Sequence, residues 1–204
     1  MKPGPHGSDA GRRLSVDSTG LRSADTREGD SRWMKLALTL AQKAMKIGET
    51  PVGAVIVRNG VVLGRGYNRR ECFSDVTQHA ELMAIRQAER RLGTWRLDGC
   101  DLYVTLEPCI MCAGAIVQAR IRKVYYAAAD PKAGAAGSIT DVFAIRQNHQ
   151  VYVAGGLMAD EGSSILKLFF RERRQQNKAQ GTRAERRATR INQKKNEEQA
   201  SQES

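Results

Sequence analysis

The sequence predicts an α/β domain, because apolar runs with strand character alternate with amphipathic helical stripes along the chain. The turn dipeptide Asn59-Gly60 between two apolar runs places a β-hairpin early in that order. Later strands are separated by helical stretches, the arrangement of crossover connections in a sheet with parallel strands.

Helical spacing begins at Trp33, with Met34, Ala37, Leu38, Ala41, Ala44 and Met45 on one stripe and Gly48 as the stop. Val52 to Val57 and Val61 to Tyr67 form the two arms of the hairpin. From His79 to Leu92 the residues Ala80, Met83, Ala84, Ala88 and Leu92 mark a second helix, closed by Gly93. A strand from Leu102 to Leu106 runs into Pro108, a residue favoured at the first position of a helix. The helix it opens, Cys109 to Ala119, is apolar nearly all round and is expected deep in the fold. Lys123 to Ala128 and Gln150 to Ala154 read as two more strands, separated by a loop of small residues, Ala133 to Gly137. A last helix runs from about Asp160 through Phe170.

A chain of 204 residues with 41% hydrophobic content supports one core of ordinary size. Residues 1–30 carry five basic and five acidic residues and almost no large apolar ones, so they are expected to be a disordered tail. Residues 31–178 form the folded domain, and 179–204 a basic, Gln-rich tail expected to be disordered. Of the net charge of +11, +6 lies in residues 31–170, so the basic balance belongs to the body as well as to the C-terminus. A polyanionic partner fits that balance, although solubility alone would also account for it. No apolar run reaches the roughly 18 to 20 residues of a membrane span, and no secretory signal opens the chain. A cytoplasmic location is expected.

The cysteines are Cys72, Cys100, Cys109 and Cys112. In a reducing cytosol the Cys-x-x-Cys pair suggests a metal or redox site rather than a disulfide. Cys109 and Cys112 share one face at a helix start. His79 and Glu81 stand two residues apart at another helix start, where they can converge only off the helix end. Amides and dipole at a helix N-terminus lower a thiol's pKa, and the thiolate is the metal-binding form. Three ligands of types that zinc prefers, with no fourth evident, leave a position for water, the catalytic rather than the structural pattern. Glu81 is then placed to move protons. Taken alone, the Cys-x-x-Cys fits a structural zinc knuckle or redox pair equally well, and a lone histidine fits a core position.

His-x-Glu together with Pro-Cys-x-x-Cys resembles the signature of the zinc-dependent nucleobase deaminases. The stretches Gly48-Glu49-Thr50-Pro51-Val52-Gly53-Ala54, Leu102 to Cys109, Cys112-Ala113-Gly114-Ala115 and Gly134-Ala135-Ala136-Gly137-Ser138 resemble the bacterial tRNA adenosine deaminases, over about residues 33–178. The resemblance implies a cytidine deaminase-like, three-layer α/β/α fold with a mixed five-stranded sheet and the zinc site at two helix N-termini. It implies one zinc ion per subunit on His79, Cys109 and Cys112, with Glu81 as proton shuttle. It further implies a homodimer whose cleft takes the tRNA anticodon stem-loop. There a zinc-activated water attacks C6 of the wobble adenosine, giving inosine and ammonia. Asn68 matches a family asparagine that binds the flipped base; by its position it could equally cap the turn after Tyr67. Gln78 before His79 and Ala129 before Asp130 depart from the family pattern.

For RNA contact the candidates are Phe169, Phe170, Arg171, Arg173 and Arg174 on the last helix, with Lys132 beside Asp130 in the small-residue loop. The alternative is that one phenylalanine packs in the core and the arginines form a solvated face. Cys72 and Cys100 are expected to be ordinary thiols, and His149 structural. Two other functions compete: a deaminase of free bases or nucleosides such as cytosine or guanine, and a non-catalytic RNA-binding protein that uses zinc to hold its fold.

Overall fold

The computed structural model describes residues 24–179 and Asn192. Residues 1–23, and most of the expected C-terminal tail, lie outside the described residues. The first helix, α1, spans Ala24–Lys46 and so begins well before Trp33. Residues 24–30 are helical rather than part of a disordered tail, and the extension is anchored where Tyr103 Oη donates a 2.6 Å hydrogen bond to Asp30 Oδ1. No apolar stripe marks this polar turn, which is why periodicity places the start later. Met34, Ala37, Leu40, Ala41 and Ala44 are the buried face of α1.

The hairpin strands are β1 (Gly53–Arg58) and β2 (Val61–Tyr67). Asn59 and Gly60 both take left-handed φ, 52° and 75°, as a two-residue hairpin turn with native twist requires. A one-turn helix, α2 (Arg70–Phe73), follows the hairpin. Then come α3 (Ala80–Leu92), β3 (Asp101–Leu106), α4 (Ile110–Gln118), β4 (Lys123–Ala128), β5 (Tyr152–Gly155) and α5 (Ala159–Ala179). The last helix continues past Phe170 because Glu172, Arg173, Arg174, Gln175 and Lys178 are good helix formers in any solvated turn. Pro108 precedes the cap residue Cys109 instead of occupying the first helical position. Only one side of α4 is deep: Cys112, Ala113, Ile116 and Val117 are buried, but Ile110 is exposed.

The five strands form one mixed sheet in the order β2-β1-β3-β4-β5. β1 runs antiparallel to both β2 and β3, while β3, β4 and β5 run parallel. Strand residues alternate between the two faces. Ala54, Ile56, Leu102 and Val104 meet Ala84, Ala88 and Ile116 of α3 and α4 on one side. Val55, Val57, Tyr103 and Tyr125 meet Met34, Ala37 and Leu40 of α1 on the other. On that second side Gly162 of α5 lies against Ala127. The result is the three-layer α/β/α architecture.

One close approach fixes where α3 begins. A Cβ at Gly66 would lie 2.0 Å from the carbonyl oxygen of Ala80, so β2 admits the first turn of α3 only because residue 66 has no side chain.

Candidate metal centre and active site

His79 is the N-cap of α3 and Cys109 the N-cap of α4, both in extended conformation and neither using its side chain to cap its own helix. The two helix starts face one another, and the ligand atoms of His79, Cys109 and Cys112 lie within 4.8 Å of one another. His79 Nδ1 is 3.7 Å from Cys109 Sγ and 3.5 Å from Cys112 Sγ. A tetrahedral zinc with bonds of about 2.05 Å to nitrogen and about 2.3 Å to sulfur requires an N···S edge of about 3.6 Å. The three side chains therefore fit that ion, and they can hold a metal. A fourth His, Cys, Asp or Glu does not join the group among the described residues.

Protonation in the cluster agrees with this use. The Cys109 thiol is pulled down to about 4, chiefly because the Cys112 S–H donates to it, with burial opposing and a bond to His79 adding to the effect. The Cys112 thiol is driven the other way by donating that hydrogen bond and by its burial. The two sulfurs thus share a proton, which is what a cation displaces on binding. His79 is raised, first by its hydrogen bond with Cys109.

Glu81 lies in the first turn of α3 and is 4% exposed. Burial drives its carboxyl upward from the usual value, against a smaller lowering by a backbone N–H and by His79. It is the buried acid beside the His-Cys-Cys group, as the His-x-Glu spacing predicts.

Asn68 directly follows β2, and its Oδ1 accepts a 3.0 Å bond from the backbone N–H of Ala80. It therefore satisfies an orphan amide at the start of α3 rather than capping the turn after Tyr67. Its amide nitrogen has no partner among the described residues. Gln78 is explained by the loop before His79: its Nε2 donates to Asp75 Oδ2 at 2.9 Å, and its carbonyl accepts from the Arg69 N–H at 3.0 Å. Ala129 is exposed, and nothing in the structure explains it.

The other RNA candidates divide. Phe169 is 6% exposed and packs inward, whereas Phe170 stands at the surface with Lys132 Nζ 6.0 Å from its ring centroid. Arg173 lies over Phe169, and Arg171 and Arg174 are exposed on α5. The Asp130 carboxylate closes its own turn by accepting from the N–H groups of Lys132 and Ala133 at 2.9 and 3.3 Å. Cys100 is buried in the core, Cys72 is exposed, and neither belongs to the metal group. His149 is structural, with Nε2 2.7 Å from the Ile121 carbonyl oxygen.

Two acids escape sequence reasoning. Glu107, 2% exposed, accepts backbone N–H groups from Asp130, Ala136 and Ser138 at 3.0, 2.9 and 3.0 Å, and also the Ser138 hydroxyl. Burial alone would raise its carboxyl, but these bonds outweigh it and hold the group below the usual carboxylate value. The loop so gathered lies on the metal group, since Gly134 bridges Cys109 and the Ala135 N–H donates to the Pro108 carbonyl at 2.8 Å. Glu49, also 2% exposed, accepts the Cys72 N–H at 2.8 Å and so anchors α2. For Glu107 the available signal was an acid between a buried strand and an apolar helix, which must find donors when buried; Glu49, in the turn Gly48 to Pro51, carries no such signal.

Residues 28–174 match the family model of the MafB19-like deaminases. The chain is 46% identical over 151 residues to a tRNA-specific adenosine deaminase of Bacillus subtilis, covering 74% of this chain and 94% of that protein. It is 49% identical over 145 residues to one of Agrobacterium fabrum, covering 71% and 95%. A solved structure from work on A-to-I editing by tRNA:A34 deaminases at the wobble position of transfer RNA superposes with a TM-score of 0.62 at 47% identity, covering 67% of this chain and 99% of that one. A guanine deaminase from Nitrosomonas europaea, at 23% identity and a TM-score of 0.58, covering 81% and 98%, shares the fold. With its His-Cys-Cys group, its buried glutamate and likeness over nearly the full length of these relatives, this chain belongs to the deaminase family that includes the tRNA-specific adenosine deaminases.

Proposed function

We propose that this protein is a zinc-dependent tRNA adenosine deaminase that converts the wobble adenosine of an anticodon to inosine, consuming water and releasing ammonia. The observation that carries the reading is the meeting of His79, Cys109 and Cys112 with the buried Glu81 carboxyl beside them. Held by those three side chains, zinc supplies a water whose pKa falls to about 7. Glu81 would accept a proton from the attacking water and pass it to a ring nitrogen of adenine. It would then take the second proton, from the new hydroxyl on C6, and pass it to the departing amine, so that ammonia leaves and a ring carbonyl remains. Burial raises the proton affinity of this carboxyl, the direction a proton shuttle requires.

Asn68 holds the start of α3 with Oδ1 and turns its amide N–H groups to the purine edge. Lys132, Phe170 and Arg171, with the Asp130 turn presenting Lys132, meet the anticodon loop through phosphate and stacking contacts. By the family resemblance the working protein is a cytoplasmic homodimer with one zinc per subunit. No helix among the described residues is long and apolar enough to cross a membrane.

Identity to tRNA-specific relatives supports RNA over free bases as substrate. The test is ammonia release from an anticodon stem-loop against free adenosine, cytidine and guanine at equal concentration. Preference for the stem-loop supports the reading; turnover of a free base alone overturns it.

A further inference from the structure

Between Asn68 and His79 the chain makes an excursion that both begins and ends at the site. Arg69, directly after Asn68, has its backbone N–H on the Gln78 carbonyl at 3.0 Å. Its guanidinium carbon lies 4.4 Å from the Phe73 ring centroid and 5.7 Å from that of Tyr67, so the planar cation lies against two aromatic rings. The Nε of Arg69 is buried, with no hydrogen-bond partner among the described residues. A buried donor left in that state is uncommon, and stacking is what holds it here.

Phe73, by contrast, is 53% exposed at the end of α2. An aromatic ring so placed is not packing a core. It is nevertheless fixed, because the Phe73 N–H donates to the Arg69 carbonyl at 3.1 Å, and the neighbouring Cys72 N–H is held by buried Glu49. On the far side of the excursion the Asp75 carboxylate ties down Thr77 and Gln78. The ring thus has a guanidinium against it, is half exposed to solvent, and stands on a backbone already fixed before binding.

We propose that Phe73, backed by Arg69, is a stacking platform for a base flanking the reacting adenosine in the single-stranded loop. Every base offers a π-face, so the platform accepts a neighbour without reading its identity, while the guanidinium adds positive charge toward the backbone phosphates. This assignment rests on the tRNA reading above and adds a positioning contact from α2, in the excursion that joins Asn68 to His79.

The test uses the full chain and an anticodon stem-loop carrying 2-aminopurine next to the reacting adenosine. Wild type quenches the fluorescence of that base on binding. Phe73→Ala, and Phe73→Leu, which keeps apolar bulk without a π-face, abolish the quench and raise KM about 10-fold, the worth of one stacked base. Turnover at saturation is unchanged, and Phe73→Trp restores both KM and quench. If both variants keep the wild-type KM and quench while still making inosine, the platform is wrong and the tRNA reading stands. If wild type makes no inosine from the stem-loop, both fail together.

Discussion

Cys112 Sγ lies 3.5 Å from Nδ1 of His79, although the two residues are 33 positions apart and sit on different helices. That distance matches the N···S edge of about 3.6 Å that a tetrahedral zinc requires, and it exists because the starts of α3 and α4 meet at one point. Replacing Cys112 by Ser is expected to lower bound zinc from about one per chain to near none and to lower Tm, since metal binding is coupled to folding. Elemental analysis and thermal unfolding with and without chelator check this; full zinc in the variant would contradict it.

Glu81 is buried next to the same group but is not needed to complete it. Glu81→Gln keeps shape and removes the exchangeable proton. Zinc content and Tm should stay near wild type while kcat falls about 10²- to 10⁴-fold, the range for losing a positioned acid–base group. Near-normal turnover would remove Glu81 from the proton path.

The Glu107 carboxylate organises the loop from Asp130 to Ser138. Glu107→Gln replaces an anionic acceptor of several N–H groups and should cost about 1–3 kcal/mol. Because the folded-state pKa is depressed below the ordinary glutamate value of 4.5, the stabilisation is present above the unfolded pKa and is lost as pH falls through the lowered value. Wild type therefore loses stability on acidification below about pH 4.5 more steeply than the variant. Urea midpoints measured from neutral pH into that range should converge for the two proteins.

Gly66→Ala tests the seating of α3. Its added methyl meets the Ala80 carbonyl oxygen at 2.0 Å, so either strand or helix must shift. A loss of about 1–3 kcal/mol is expected, with weaker zinc retention because His79 precedes that turn. Unfolding and zinc competition with a chelator measure both.

Much of this centre was legible because its signals are local. Helix starts at His79 and Cys109, the Cys-x-x-Cys spacing and the Asn59-Gly60 turn each lie within a few residues, and the structure keeps them. What was hidden is long-range. The donors to Glu107 stand 23 to 31 positions away in a loop of small residues with no periodic pattern. Likewise the placing of β1 between β2 and β3 is a choice of sheet order that no single strand records. The early start of α1 was missed because Asp30 is held by Tyr103, a partner 73 positions distant.

Affinity for an anticodon stem-loop should fall steeply with salt, as phosphate neutralisation by residues such as Lys132 and Arg171 requires. Lys132→Ala should lower the slope of log affinity against log salt by about one. A flat response in wild type would count against a phosphate-led interface.

Mass spectrometry of the nucleosides from a tRNA bearing adenosine at the wobble position, after incubation with zinc-loaded protein, bears most directly on the chemistry. Inosine should replace adenosine at that position with wild type and stay near background with Glu81→Gln. Unchanged adenosine in the presence of folded, fully zinc-loaded wild type would contradict the assignment.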